Sequence, residues 1–240
     1  TNATCINREE ADHLIQIGSQ NLFAKGLILI SISIHGLEKT HDQITQKKSA
    51  YQKALCAVQE LIAYKNKYKK KYPLIEIKTV VTNSNVSELA DMYTMATKEG
   101  VDIFNIMTMN TLPHVERIYE NPSYDIYKYP DAVPEVDLSE LHSQLLFLQY
   151  KTNRSSTQIR TTPQGISFTE IEKYYQNKFS LKNYLCNYPW YGCAVTAFGD
   201  VFMCPYQIVG NVQENSMQEI LTGTKARSFR KKIKQNSVLP

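Results

Sequence analysis

The fold is decided by the stretch Leu27-Ile28-Leu29-Ile30-Ser31-Ile32-Ser33-Ile34, a run of mostly apolar, largely β-branched residues. A run of this length predicts a buried strand, because it is far shorter than the ~20 apolar residues that a membrane span requires. Comparable runs recur at Leu74–Val81 and at Val101–Met107. We therefore expect three short strands in the first half of the chain, and no membrane-spanning segment.

Helices are predicted before and between these strands. Apolar residues at near-helical spacing predict helices over Ala11–Leu22, over Ile44–Tyr68 and from Asn85 to Gly100. Asn85 is expected to cap the third helix, because Glu88 follows it three residues later in a capping-box pattern. Alternating helices and apolar strands predict an α/β fold with a parallel sheet, whose ligands gather at the carboxyl ends of the strands.

The remainder of the chain changes character twice. Residues 110–135 are rich in Pro, Tyr and Asp and are expected to form a loop or lid before a further helix at Leu138–Tyr150. The polar stretch from Asn153 opens a predicted linker over 153–183, so the predicted domains are 1–152 and 184–240. In the predicted domain 184–240, Gly199-Asp200 predicts a β-hairpin, and a basic helix is expected at the C-terminal end.

Composition and charge narrow the function classes. The formal net charge of +4 comes largely from the lysine run at 65–71. This run would suit a nucleic-acid binder, but no aromatic stacking platform accompanies it, and a solvated helix end explains it better. Five cysteines do not suggest a disulfide framework and favour reduced thiols or metal ligands in a cytoplasmic protein.

Cys186 and Cys204 are the candidate metal ligands. Cys186 precedes the outgoing strand of the predicted hairpin, and Cys204 ends the return strand, which suits an iron–sulfur cluster. A zinc ribbon is disfavoured because no Cys-x-x-Cys pair occurs. A Cys193–Cys204 disulfide stays open, although a two-residue turn would place Cys204 opposite Val195.

The C-terminal residues resemble a known family. Cys186, twelve residues, Gly199, four residues and Cys204 resemble the opening of the SPASM or twitch extension of radical S-adenosylmethionine (SAM) enzymes. Similar segments of that extension follow at 208–212, 216–220 and 225–230.

The N-terminal residues resemble the catalytic barrel of the same enzymes. Thr1-Asn2 is similar to the end of the third barrel strand, and Ile32–Gly36 to the fourth, with His35 in place of the usual Asp. His41-Asp42 and the segment 81–85 are also similar to the family. The implied fold is a partial (βα)6 TIM-like barrel, strands 3 or 4 to 6, with a small α+β iron–sulfur extension.

The resemblance implies site residues and cofactors. The cofactors would be SAM, with Ser33 contacting its ribose, and an auxiliary [4Fe-4S] cluster on Cys186 and Cys204. Thr1 and Asn2 would face the same cavity. Two residues are left with two possible roles: Asn85 contacts SAM or caps its helix, and Met107 touches the adenine or packs in the core. His35 is expected to be a hydrogen-bonded loop residue rather than a catalyst. Other residues given no binding role are His41, Asp42, Cys5, Cys56 and Cys193.

The implied function is a radical SAM enzyme that cleaves SAM reductively to a 5′-deoxyadenosyl radical and abstracts hydrogen from a peptide or small molecule. Flavodoxin or ferredoxin would donate the electron. The sequence contains neither the Cys-x3-Cys-x2-Cys triplet nor the Gly-Gly-Glu segment of the family. A fragment that is inactive by itself is therefore expected. The alternatives are a catalytically inactive binding or scaffold protein of the same fold and a basic nucleic-acid binder.

Overall fold

The computed structural model of the chain describes residues 1–109, 134–152, 154–163, 165–179, 186–204 and 207–236. These residues fall into two compact units, the first built from 1–109 and 134–179 and the second from 186–236. The loop or lid expected at 110–135 lies almost wholly outside the described residues. No helix in the described ranges has the length and hydrophobicity needed to cross a bilayer.

The first unit is built on four parallel strands in the order β1-β2-β3-β4. The expected α/β fold with a parallel sheet is confirmed, and the runs that predicted strands contain β1, β2 and β3. The strands are β1 (Leu29–Ser33), β2 (Leu74–Val81), β3 (Ile103–Thr108) and β4 (Gln158–Thr162), and the helices are α1 (Arg8–Gln16), α2 (Glu38–Thr45), α3 (Ala50–Lys67), α4 (Leu89–Glu99), α5 (Leu138–Lys151) and α6 (Phe168–Tyr175).

The two faces of this sheet differ in chemistry, because successive side chains of a strand point to opposite sides. One face buries apolar side chains such as Ile32, Ile77 and Ile106, each of them fully buried. On the opposite face the strand register aligns Ser31 with Glu76. This second face is therefore polar where β1 and β2 pair.

The predicted linker at 153–183 is wrong. It contains β4, which pairs with β3 over five positions, and α6, which begins at a capping box formed by Ser167 and Glu170. The first unit therefore extends to Phe179 rather than to residue 152. The strand was missed because four of the five residues of β4 are polar, so its sequence lacks the apolar run by which the other strands were recognised.

The long helix predicted at Ile44–Tyr68 is two helices. The chain leaves α2 at Gln46 and enters α3 from Ser49, both with positive φ (52° and 62°). Asp42 stabilises this break, because its carboxylate accepts hydrogen bonds from the backbone N–H groups of Ser49 (2.5 Å) and Tyr51 (2.9 Å). Backbone bonding of this kind lowers the pKa of Asp42. Its role is structural.

The second unit is a small α+β structure with the expected hairpin. An antiparallel sheet joins β5 (Ala194–Val195), β6 (Asp200–Cys204) and β7 (Gln207–Asn211). Val195 pairs with Val201, whereas a two-residue turn at Gly199-Asp200 would pair it with Cys204. The difference arises because the turn begins at Thr196, whose carbonyl accepts the N–H of Gly199 (3.0 Å). The helices are α7 (Tyr188–Tyr191), α8 (Met217–Thr222) and α9 (Thr224–Asn236).

Candidate cofactor and metal sites

Ser33 lies at the carboxyl end of β1, where a ligand of a parallel sheet is expected. It is half-buried, and its backbone N–H donates to the carbonyl of Thr1 (2.8 Å). The structure therefore places Thr1 beside Ser33. Asn2 is exposed, and its side-chain oxygen accepts hydrogen bonds from Thr4 within a local turn (3.3 and 3.2 Å).

Asn85 does not cap a helix, which corrects the capping-box prediction. It precedes a 3-10 turn (Val86–Glu88) rather than the α-helix itself, and its side chain makes no capping bond. Its amide nitrogen instead donates to the carbonyls of His35 and Val80 (both 2.8 Å), and its oxygen accepts the N–H of Thr82 (2.8 Å).

Because Asn85 is fully buried, this amide joins the ends of β1 and β2 from inside the fold. Both of its amide hydrogens are used by the protein. The contacts assign Asn85 to positioning the strand ends rather than to direct contact with a cofactor.

Two histidines follow Ser33 and fix the loop between β1 and α2. The backbone N–H of His35 donates to Nδ1 of His41 (3.0 Å), and the N–H of Val80 donates to Nδ1 of His35 (3.3 Å). Burial lowers the pKa of both imidazoles, and the neighbouring His41 and Lys78 lower that of His35 further. Both rings therefore act as neutral acceptors, which agrees with the expectation that His35 is a loop residue.

Glu88 holds the same loop from the other side. Its carboxylate accepts the N–H of Leu37 (2.6 Å) and the hydroxyl of Thr40 (2.5 Å). Gly36 is needed at this point, because a Cβ atom there would lie 2.6 Å from Cγ2 of Thr40. The loop that carries the residues after Ser33 is thus tightly specified.

A polar network that the sequence did not reveal lies on the face of the sheet that carries Ser31 and Glu76. Glu76, only 3% exposed, accepts hydrogen bonds from the hydroxyl of Ser31 (2.6 Å), the amide of Asn105 (3.2 Å) and the guanidinium of Arg160 (3.2 Å). Thr162 donates to the side-chain oxygen of Asn105 (2.9 Å). Glu76, a charged residue inside the otherwise mostly apolar β2, was the available signal for this network.

Lys78 lies on the same face, two residues after Glu76. Within the described residues it forms no ion pair, whereas Arg160 is paired with Glu76. The face beside Ser33 therefore carries one positive charge that the described residues do not neutralise. The hydroxyl of Ser33 and the ammonium group of Lys78, which are register partners on this face, can bind a ligand with hydroxyl and carboxylate groups, and these donors fit SAM.

The candidate metal ligands lie in the second unit. Cys204 is buried in its core, and Cys186 packs against that core together with Cys193. All five cysteines are thiols, so the Cys193–Cys204 disulfide is not formed. Across the described ranges no three His, Cys, Asp or Glu side chains are close enough to hold a metal ion. Thiols suit an iron–sulfur cluster, and those present fit part of its ligand set, which takes up to four thiolates.

Residues 186–238 match the SPASM family, described as an iron–sulfur cluster-binding domain. With the parallel sheet, this match supports the resemblance to a radical SAM protein with a SPASM extension. No curated protein sequence matches the chain.

Among solved structures, the chain is similar to SuiB of Streptococcus suis, a radical SAM enzyme. The likeness has a TM-score of 0.59 and 16% identity, and it covers 96% of this chain and 49% of SuiB. The chain is also similar to SuiB bound to S-adenosylmethionine, with a TM-score of 0.57 and 17% identity over 95% of this chain and 49% of SuiB. The likeness to SuiB bound to the precursor peptide SuiA has a TM-score of 0.57 and 16% identity over 95% of this chain and 48% of SuiB. At this identity the likeness shows the fold, and the chain spans about half the length of SuiB.

Proposed function

We propose that the chain is the SAM-binding and auxiliary-cluster part of a radical SAM enzyme that modifies a peptide. The observation that carries this proposal is the likeness to SuiB over 96% of the chain, since this range includes both compact units. One SuiB structure holds SAM and another a precursor peptide, which supports the same ligand classes here. A cytoplasmic location and a flavodoxin or ferredoxin donor belong to the same proposal.

SAM would lie at the carboxyl ends of β1 to β3, and when cleaved by a reduced cluster it supplies the 5′-deoxyadenosyl radical. Ser33 would bind the ribose, because a hydroxyl both donates to and accepts from a ribose hydroxyl. Asn85, His35 in the loop and His41 in α2 would keep Ser33 and its neighbours in place. Lys78 would neutralise a carboxylate of the ligand on the same face of the sheet as Ser33.

Cys186 and Cys204 would hold the auxiliary [4Fe-4S] cluster. Their place in the matched SPASM range and on one core supports this assignment. Cys193 packs on the same core and is the next candidate ligand in the described unit.

Anaerobic reconstitution with iron and sulfide tests the assignment. The parent is expected to take up iron and sulfide in equal amounts and to show the broad visible absorption of a cluster. Cys186→Ala and Cys204→Ala should each lose most of this uptake. Cys56→Ala is the matched control, because Cys56 is exposed on α3 in the other unit. Uptake in both variants equal to that of the parent, or no uptake by the parent, would overturn the assignment.

His35 is the observation that favours the alternative of an inactive scaffold, since it stands where the family usually has an Asp. Formation of 5′-deoxyadenosine from SAM under reducing conditions by the enzyme that carries this chain separates the two. We expect the product to form. SAM binding without product would instead support the scaffold.

A further inference from the structure

A cavity lies at the opposite end of the sheet from Ser33. It occupies ≈ 470 Å³ between α4, the end of α5 and the connection from α5 to β4. This volume is within the range of small-molecule sites, roughly 300–1,000 Å³. The lining residues that matter here are Thr97, Lys98, Lys151, Arg154, Ser155 and Ser156.

The cavity is cationic. Lys98, Lys151 and Arg154 line it, no carboxylate does, and none of the three forms an ion pair within the described part of the chain. The guanidinium of Arg154 lies over the ring of Tyr150, 4.3 Å from its centroid. An aromatic ring therefore holds this cation in place and leaves its N–H groups unneutralised.

Helix ends explain only part of this charge. Lys98 and Lys151 lie in the last turns of α4 and α5, where cations interact favourably with the helix dipole. Arg154 lies beyond the helix, in the connection to β4, so the dipole does not account for it.

The hydroxyl of Thr97 lacks, among the residues that the structure describes, the hydrogen-bond partner that a buried hydroxyl needs. Thr94, one turn earlier on α4, donates to the carbonyl of Ala90 (2.9 Å), as a helical threonine commonly does. The buried Oγ1 of Thr97 has no hydrogen-bond partner in the described ranges. The backbone N–H groups of Ser155 and Ser156 also donate no hydrogen bond within the described part of the chain. A buried hydroxyl left unpaired costs stability, and a ligand oxygen would remove that cost.

We propose that this cavity binds the phosphate group of a small molecule. Three cations with two adjacent backbone N–H groups exceed what a single carboxylate charge needs, and they match a phosphate dianion with three terminal oxygens. The site is separate from the proposed SAM and cluster sites, so its test stands apart from theirs.

Isothermal titration calorimetry at an ionic strength fixed with chloride tests the proposal, using inorganic phosphate, glycerol phosphate and glycerol as probes. One molecule of each phosphate compound should bind per chain, and glycerol should not bind. Equal affinities for the two would identify the inorganic ion as a sufficient ligand, and tighter binding of glycerol phosphate would identify an ester. No saturable heat with either phosphate compound would overturn the proposal.

Three variants make the test specific. Arg154→Gln should weaken phosphate binding about tenfold, because it removes a charge-assisted hydrogen bond. Thr97→Val should weaken it about fivefold while leaving the stability of the fold unchanged or higher, since it removes an unpaired buried hydroxyl. Lys48→Gln, at an exposed lysine between α2 and α3, is the control and should bind as the parent does. Parent-like affinity in both of the first two variants would also overturn the proposal.

Discussion

Replacing Asn85 with alanine should destabilise the first unit strongly. The side chain is fully buried and bonds three backbone groups, the carbonyls of His35 and Val80 and the N–H of Thr82, each at 2.8 Å. Alanine leaves all three without their partner. A buried polar group left unsatisfied costs about 1–3 kcal/mol, so we expect the free energy of unfolding to fall by at least about 3 kcal/mol.

Asn85→Asp separates hydrogen bonding from shape. Aspartate keeps the size of the side chain and an oxygen for Thr82, but it places a carboxylate against two carbonyl oxygens. We therefore expect Asn85→Asp to be no more stable than Asn85→Ala. The control is Asn66→Ala on the exposed side of α3, which should change stability by no more than about 0.5 kcal/mol.

Urea unfolding followed by far-UV circular dichroism measures these differences. A loss below about 1 kcal/mol for Asn85→Ala would refute the reasoning, because it is smaller than the cost of a single orphaned group. An Asn85→Asp variant as stable as the parent would refute it independently, since the two donated bonds would then contribute nothing.

Two further predictions concern charge. Arg160→Met should lower the free energy of unfolding, measured by urea titration, by about 2 kcal/mol, because it leaves the buried Glu76 without its cation. Adding Glu76→Gln to this variant should recover part of the loss. An Arg160→Met variant as stable as the parent would contradict this prediction. Stability should also fall as the pH drops below about 6.5, because the lowered pKa values of His35 and His41 mean that the unfolded chain binds more protons there. Unfolding at about pH 8 and about pH 5.5 measures this, and a His41→Asn variant with an undiminished pH slope would contradict the assignment.

The strands that the sequence predicted are those with apolar runs. β1, β2 and β3 are buried by helices, so their sequences had to be apolar, and this made them recognisable. β4 was missed because four of its five residues are polar, among them Arg160 and Thr162, which bond Glu76 and Asn105. A polar strand of this kind looks like a loop in the sequence. Its pairing with β3 depends on residues far away in the sequence, which local patterns do not contain.

The candidate site shows the same division. The place of Ser33 at the end of a strand could be predicted, because strand ends follow directly from strand boundaries. The role of Asn85 could not, since its partners come from two loops and a 3-10 turn separates it from α4. The hairpin register also differed, because the turn at Thr196–Gly199 is longer than Gly199-Asp200 suggested.

Binding of SAM to the reconstituted protein under anaerobic conditions tests the central claim most directly. Calorimetric titration should show one SAM per chain for the parent. Ser33→Ala should weaken the affinity about three- to tenfold, the loss of one hydrogen bond. Ser139→Ala, at an exposed serine at the start of α5, should bind as the parent does. No binding by the parent, or equal dissociation constants for Ser33→Ala and the parent, would contradict the account.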